Sequence, residues 1–333
     1  MLTATCGVLL LHITWTAPKS SRGDTMEAAA ELPEVTVVIP FYGDPAPVVA
    51  LVDELRTSAP SCLQHIVISD DCSPVPYEVT FHQPQDSLPL VTVVRRERNG
   101  GFGSAVNTGL SRVTTPLALV LNSDLVITGE QIRQLLTHLQ GWHPVVASPA
   151  VAHPDGTEQW VGRVFPTVGH QVIEWLSPLA RWRHLPALHR AVGHDLRSAV
   201  ARDVWAVDWV MGAAMVLPME QVRAVGGFDQ SFYMNCEEVD LQRRLRRLGV
   251  ASVVVPQVQV THIGGGSSEN SVRRQWLVDA RFRYAQKWGS PGVLRLALRT
   301  ATVVNFLVNQ VRSIRNDDVD PQAILRKEWV LLR

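Results

Sequence analysis

Val35-Thr36-Val37-Val38-Ile39-Pro40-Phe41-Tyr42-Gly43-Asp44 is an apolar, β-branched run that breaks into a polar turn. Three later stretches repeat that grammar. Residues 65–68 lead into Ser69-Asp70-Asp71, residues 91–94 lead toward a glycine-rich segment, and Leu117–Leu121 leads into Asn122-Ser123-Asp124. Between them, residues 47–57, 105–112 and 129–139 carry apolar side chains at helical spacing. Short apolar strands alternating with helices predict an α/β fold with a mostly parallel central sheet and flanking helices. Strands that are apolar throughout fit a sheet covered on both faces. In such open sheets the ligand crevice lies at the carboxyl ends of the strands, so the polar turns are expected around one crevice.

The 333 residues suffice for one large α/β domain with appendages, and 46% hydrophobic content supports a sizeable core. Basic and acidic residues number 31 each, which excludes a general nucleic-acid binder, because that class needs a basic surplus. Cys6, Cys62, Cys72 and Cys236 match no zinc or redox spacing and read as free thiols of a reducing, cytoplasmic compartment. No clean apolar run reaches spanning length. Residues 7–15 are apolar but lack a preceding basic residue, so residues 1–33 are expected to lie outside the fold, with Met26 as an alternative start.

Four segments carry chemistry. A carboxylate in Asn122-Ser123-Asp124 can hold a hard divalent cation, although all three residue types also form turns. Asn99-Gly100-Gly101-Phe102-Gly103-Ser104-Ala105 opens a helix, where glycines admit a ligand and the helix N-terminus favours anions. A dinucleotide-binding loop is set aside, because Val106 takes the third glycine position and the loop follows the third strand. Glu237, Glu238 and Asp240 crowd the first turn of a helix; they either complement its dipole or form a base of raised pKa. His262 precedes Gly264-Gly265-Gly266-Ser267-Ser268 and suits a metal or diphosphate, or a plain turn.

In this order the segments resemble the family-two glycosyltransferases of GT-A fold, in their rhamnosyltransferase-like branch. Residues 37–43 are similar to the family's first strand and P-x-Y-N turn, with Gly43 in the Asn place. Ser69-Asp70-Asp71-Cys72-Ser73 resembles V-D-D-G-S, with Cys72 for Gly, and residues 99–109 read N-x-G-F-G-x-A-x-N-x-G. Asn122-Ser123-Asp124 stands where the family has D-x-D, with Asn122 for the first carboxylate. Trp209-Val210-Met211-Gly212-Ala213-Ala214 and Gly226-Gly227-Phe228-Asp229 resemble the acceptor-side block, Glu237 to Asp240 falls on E-D-x-D, and His262 with Ser267 or Ser268 falls on H-x-x-G-x-S.

The resemblance implies a catalytic domain over residues 34–268, with a nucleotide-sugar half at 34–150, an acceptor half at 151–268, and a helical region at 269–333. It implies inverting sugar transfer from a dTDP- or UDP-sugar to a glycan, glycolipid or lipid-linked hydroxyl. Pro40, Tyr42, Asp44, Asp70, Asn99, Gly101, Phe102, Gly103, Asn107, Asn122 and Ser123 are then expected on the donor side. Trp209 and Gly212 fall on the acceptor side, and Asp124 with His262 on Mg²⁺ or Mn²⁺. Glu238 is expected as base, supported by Glu237 and Asp240. A non-catalytic nucleotide-sugar binder would not need Glu238. A sugar nucleotidyltransferase would want a basic glycine-rich loop after the first strand, where Phe41-Tyr42-Gly43-Asp44 is acidic.

From residue 152 to 208 the pattern loosens, with Trp160, Trp175, Trp182 and Trp205 and with histidines at no ligand spacing. The tail reads as two helices broken at Gly289-Ser290-Pro291-Gly292. In the last one, Arg295, Arg299, Thr302, Asn305, Asn309 and Arg312 form a narrow polar stripe on an otherwise apolar helix. That pattern suits packing against the catalytic domain or a second subunit, or a peripheral seat on the inner face of the plasma membrane.

Overall fold

A computed structural model describes residues 31–79, 89–264, 270–316 and 318–333; the expectations for residues 1–30 and for Ser267 and Ser268 lie outside these. In chain order the elements begin with β1 (Val35–Phe41), α1 (Ala46–Thr57), β2 (Leu63–Asp70), β3 (Leu90–Arg95), α2 (Phe102–Leu110), β4 (Leu117–Leu121), β5 (Leu125–Val126) and α3 (Gly129–His138). They continue with β6 (Val145–Ala152), β7 (Gly162–Arg163), α4 (Val168–Trp175), α5 (Pro186–Ala191), β8 (Trp205–Val207), β9 (Trp209–Val210) and β10 (Ala214–Pro218). The last are α6 (Met219–Ala224), α7 (Glu237–Arg246), β11 (Ala251–His262), α8 (Asn270–Trp288), α9 (Pro291–Ser313) and α10 (Pro321–Leu331).

The main sheet runs β3-β2-β1-β4-β10-β6-β11-β5, with β8 also paired to β11. Its first four strands are parallel, as is the pair β6–β11, whereas β10 enters antiparallel between β4 and β6. Every residue of β1 and β4 is buried, which matches sequences that are apolar apart from Thr36, whose hydroxyl is paired with that of Thr115 at 2.8 Å. Val37 lies in register between Ile66 and Leu119, at the centre of the core.

Register places the functional turns. Phe41 pairs with Asp70, and Asp70 pairs with Arg95, so the three strands end level with one another. The twelve residues of β11 pass a bulge between Val255 and Gln259 and end with His262 opposite Leu125, beside the turn that follows β4. The tail holds three helices rather than two. The third starts where the Asp320 side chain accepts a hydrogen bond from the Ala323 amide at 2.9 Å and Pro321 occupies the first turn.

Helix α2 lies so close to the sheet that a methyl group at Gly109 would come 2.4 Å from Val38 Cγ1. Gly109→Ala is therefore expected to destabilise the fold by about 1–3 kcal/mol, read as a lower denaturation midpoint at constant m-value. Gly292→Ala, at a helical glycine whose Cβ would meet nothing within 4 Å, is the neutral control.

Candidate active site

The β2 and β3 ends form a charged edge. Asp70 is fully buried; its carboxylate accepts the Ser73 amide at 2.7 Å and pairs with Arg95, which also donates to the Ser73 carbonyl at 2.9 Å. Asp71 accepts the amides of Gly100 and Gly101, the latter at 2.8 Å, and pairs with Arg96 at 2.8 Å. Gly101 has φ +82°, and a Cβ there would lie 1.8 Å from the Tyr233 carbonyl oxygen, so only glycine lets the loop touch the 231–236 segment. Asn99 joins the same contact, because its Oδ1 accepts from Gly101 N at 3.1 Å and from the Tyr233 hydroxyl at 2.9 Å.

Asp124 and His262 come together from segments 138 positions apart. Asp124 Oδ1 lies 3.1 Å from His262 Nε2, and Asp124 Oδ2 accepts the Gly264 amide at 3.0 Å. Burial acts against the Asp124 charge, but hydrogen bonds from His262 and from the Asp124 and Gly264 amides prevail, holding the carboxyl below its ordinary range. On its other side His262 donates from Nδ1 to Gln159 Oε1 at 2.9 Å. Nε2 also lies 3.2 Å from the Asn122 amide nitrogen; with the ring proton on Nδ1, toward Gln159, a cation bound beside Asp124 would take the Nε2 lone pair in place of that hydrogen bond. One carboxylate and one imidazole suit Mg²⁺ or Mn²⁺ that takes its remaining ligands from substrate phosphate and water. Among the described residues no cluster of three His, Cys, Asp or Glu side chains exists, so this pair is what they offer a cation.

The three acids of α7 meet different environments. Asn235 and Cys236 take left-handed backbone, with φ of 71° and 64°, and turn the chain sharply into the helix. Glu237 is buried against Gly103, and its Oε2 has no partner among the described residues. Burial first, and the neighbouring Glu238 second, push its carboxyl well above the ordinary range. Glu238 also has an unpartnered Oε2, and burial raises its carboxyl too, opposed by the Arg163 charge. It lines a 300 Å³ cavity with Arg163, Glu174, Trp209, Met211 and Arg281. Asp240 is spent elsewhere: it accepts from Arg244 Nε at 2.8 Å and Trp288 Nε1 at 2.7 Å and pairs with Lys287 at 2.8 Å.

Segment 209–214 joins these parts. The Asn122 amide donates to the Ala213 carbonyl at 2.8 Å, and a Cβ on Gly212 would lie 3.6 Å from the Phe102 ring and 3.7 Å from Glu238 Cβ. Phe102, Gly103, Gly212, Glu238 and the Asn122-Ser123-Asp124 turn are thus linked by contacts through this segment and α7. Pro40 is in register with Ser69 beneath the charged edge, and Tyr42 is exposed at its rim. Asp44 instead accepts the Ala46 amide at 3.0 Å at the start of α1. Asn107 holds the Phe228 backbone at both its amide atoms, each at 2.8 Å. Trp209 packs with Phe232, Val239 and Tyr284 and presents an edge to the cavity. Arg163, Gln159 and Tyr233 escape a reading of the sequence, since each is a single residue without a motif and acts only through distant partners.

Glu237 keeps its proton at pH values where the unfolded chain has released it, so it subtracts stability as pH rises above the ordinary glutamate range. Glu237→Gln removes that loss. The difference in Tm between Glu237→Gln and wild type is expected to grow as pH rises above the ordinary glutamate range; a difference that shrinks there contradicts a buried, neutral Glu237.

Comparison with known proteins agrees with this layout. Residues 36–190 match the family model for glycosyl transferase family 2. A pre-mycofactocin glycosyltransferase of Mycobacterium tuberculosis is 27% identical over 300 residues, covering 89% of this chain and 54% of that protein. An N-acetylglucosaminyl-diphospho-decaprenol L-rhamnosyltransferase of the same organism is 26% identical over 190 residues, covering 52% of this chain and 59% of that protein. The chain thus spans between half and two thirds of the length of these curated relatives. GalNAc-T7, solved with UDP, GalNAc and Mn²⁺, superposes with a TM-score of 0.54 at 15% identity, over 78% of this chain and 48% of its own, which is a likeness of fold. The segment 36–190 is thus similar to glycosyl transferase family 2, and the chain has the GT-A fold.

Proposed function

We propose that the protein is an inverting glycosyltransferase that moves a sugar from a nucleoside diphosphate to an acceptor hydroxyl. The observation that carries this reading is the unpartnered carboxylate oxygen of Glu238, buried at a cavity wall beside Phe102 and Gly212. Leaving such an oxygen without a donor costs stability, which a protein that only bound a nucleotide sugar would have no reason to bear.

The acceptor hydroxyl enters the cavity and gives its proton to Glu238. Its oxygen attacks the anomeric carbon from the face opposite the nucleotide, the bond to the diphosphate oxygen breaks, and that oxygen leaves with the electron pair. One displacement inverts the anomeric centre, and no protein nucleophile is needed. Glu237, neutral and behind Glu238, keeps a second negative charge out of the site. Backbone amides and the Arg163 charge oppose the burial that raises the Glu238 carboxyl and so favour its ionised form. Asp124 and His262 would hold Mg²⁺ or Mn²⁺, which when bound supplies Lewis-acid neutralisation of the diphosphate. Asp70 with Tyr42 and the 99–103 loop forms the nucleoside side, and Asp240 supports the base indirectly by tying α7 to the end of α8.

The rhamnosyltransferase among the relatives favours a deoxyhexose on dTDP, or a UDP-sugar, as donor and a lipid-linked glycan as acceptor, with the work done on the cytoplasmic side.

Glu238→Gln is expected to lower turnover about 10²–10⁴-fold while nucleotide-sugar binding persists. Wild-type-like turnover in that variant would falsify the base assignment. In wild type the rate should fall as pH drops through the Glu238 carboxyl, whose midpoint lies above the ordinary glutamate value. Asp124→Ala is expected to weaken donor binding in the presence of Mn²⁺; calorimetry showing equal affinity for both proteins would remove Asp124 from the cation site.

A further inference from the structure

Helix α9 is packed inside out. Thr302, Asn305 and Asn309, the middle of its polar stripe, are buried, at 0%, 0% and 2% exposure. Trp175 Nε1 donates to Thr302 Oγ1 at 2.8 Å, the Ser177 amide donates to Asn305 Oδ1 at 3.0 Å, and Asn305 Nδ2 donates to the Trp175 carbonyl at 3.0 Å. The protein therefore takes in the middle of the polar stripe together with Leu294, Leu298 and Ala301, and turns a second apolar face to solvent. Val293, Leu296, Val303, Leu307, Val311 and Ile314 recur along one side of the helix and are between 44% and 82% exposed. A helix of 23 residues is about 35 Å long, so this is an apolar surface of the kind that marks an interaction site. Thr300, on the same side, returns its hydroxyl to the Leu296 carbonyl at 3.0 Å and exposes little unpaired polarity.

We propose that this outward face of α9 is a seat for an anionic phospholipid surface. Charge selects that occupant. From Pro291 to Arg315 there is no Asp or Glu, while Arg295, Arg299, Arg312 and Arg315 stand near the two ends. Arg295, Arg312 and Arg315 are exposed. Two half-exposed tryptophans flank the helix from neighbouring elements: Trp329 of α10, 5.4 Å under Arg299, and Trp182, 4.0 Å under Arg181. Apolar centre, basic rim and amphipathic aromatics are what an interfacial helix needs. A second copy of the chain fits worse. A symmetric pairing of two α9 helices would meet no Asp or Glu within residues 291–315 of either copy, the nearest described acids in sequence being Asp318 and Asp320 beyond the C-terminal end. Spanning is disfavoured because the buried amides and hydroxyl would leave their partners on α4, α10 and residue 177. A 730 Å³ groove lined by Arg283, Arg295 and Arg333 and by one acid side chain, Asp279, adjoins the N-terminal end of the face.

The seat goes beyond the transfer reading and does not depend on it. Its test is flotation of the full chain with vesicles of phosphatidylcholine alone and of phosphatidylcholine with phosphatidylglycerol. Wild type is expected to float with the anionic vesicles and to stay in solution with the neutral ones. Leu307→Glu and Val311→Glu, at exposed positions, should cut the bound fraction roughly tenfold or more with unchanged Tm. Arg312→Gln with Arg315→Gln should cut it less, and most at low salt. Equal flotation of wild type and Leu307→Glu would overturn the proposal. So would a wild-type dimer, seen by light scattering, that Leu307→Glu converts to a monomer without vesicle binding in either form. UDP and dTDP binding measured without vesicles reads the transfer assignment separately.

Discussion

The carboxylate of Asp71 is the contact on which the site depends. It accepts the Gly100 and Gly101 amides and is ion-paired with Arg96. Charge-assisted bonds of this kind are stronger than neutral ones and fix direction as well as distance. They hold the glycine loop against the end of β2. The loop in turn receives the Tyr233 backbone at Gly101 and the Tyr233 hydroxyl at Asn99. Two residues beyond Tyr233 the chain takes its left-handed turn and starts α7. The direction in which Glu238 faces is thus inherited, contact by contact, from the end of the second strand.

Three acids within one helical turn would repel one another if all were charged and equally wet. They coexist because each sits in a different medium. Asp240 has an arginine, a lysine and an indole N–H, and behaves as a structural anion. Glu237 has none of these and is held neutral by burial. Glu238 lies between, with one arginine nearby and a cavity in front. Separating the protonation behaviour of adjacent carboxyls by environment is a general means of making one of them useful near neutral pH.

Much of this was legible in the sequence, for identifiable reasons. Each strand and the turn behind it are contiguous, so composition alone exposes Val35-Thr36-Val37-Val38-Ile39 and the acidic turn after residues 65–68. The glycine loop could be found because Gly101 and Gly109 stand at close approaches that exclude a side chain. What could not be read is pairing at a distance. Gln159 meets His262 across 103 positions, and Arg163 reaches Glu238 only after β7 pairs with β9. The start of α10 escaped notice because a single Asp-Pro step marks it, in a region with weak periodicity.

The periodicity of α9 showed a polar stripe but carried no sign, since the same pattern arises whether the stripe faces water or protein. The sign is set by what lies opposite. A polar stripe can be buried only where each donor and acceptor finds a partner, and α4 and α10 supply them: the Trp175 indole and carbonyl, the Ser177 amide, and the carboxylate of Glu328. Glu328 is itself held by Arg274 at 3.2 Å, so the buried polar layer is closed on its own side as well. With Thr302 and Asn305 satisfied inward, the helix offers water mainly its second apolar face, interrupted by Thr300 and Gln310 and bounded by arginines near the ends. Ordinary surface helices resolve amphipathicity the other way, with the apolar stripe toward the core. The same α4 whose Trp175 anchors α9 contributes Glu174 to the wall of the Glu238 cavity. The apolar face and the proposed acceptor cavity are therefore two sides of one packed unit, so whatever covers α9 lies one helix away from the wall of that cavity.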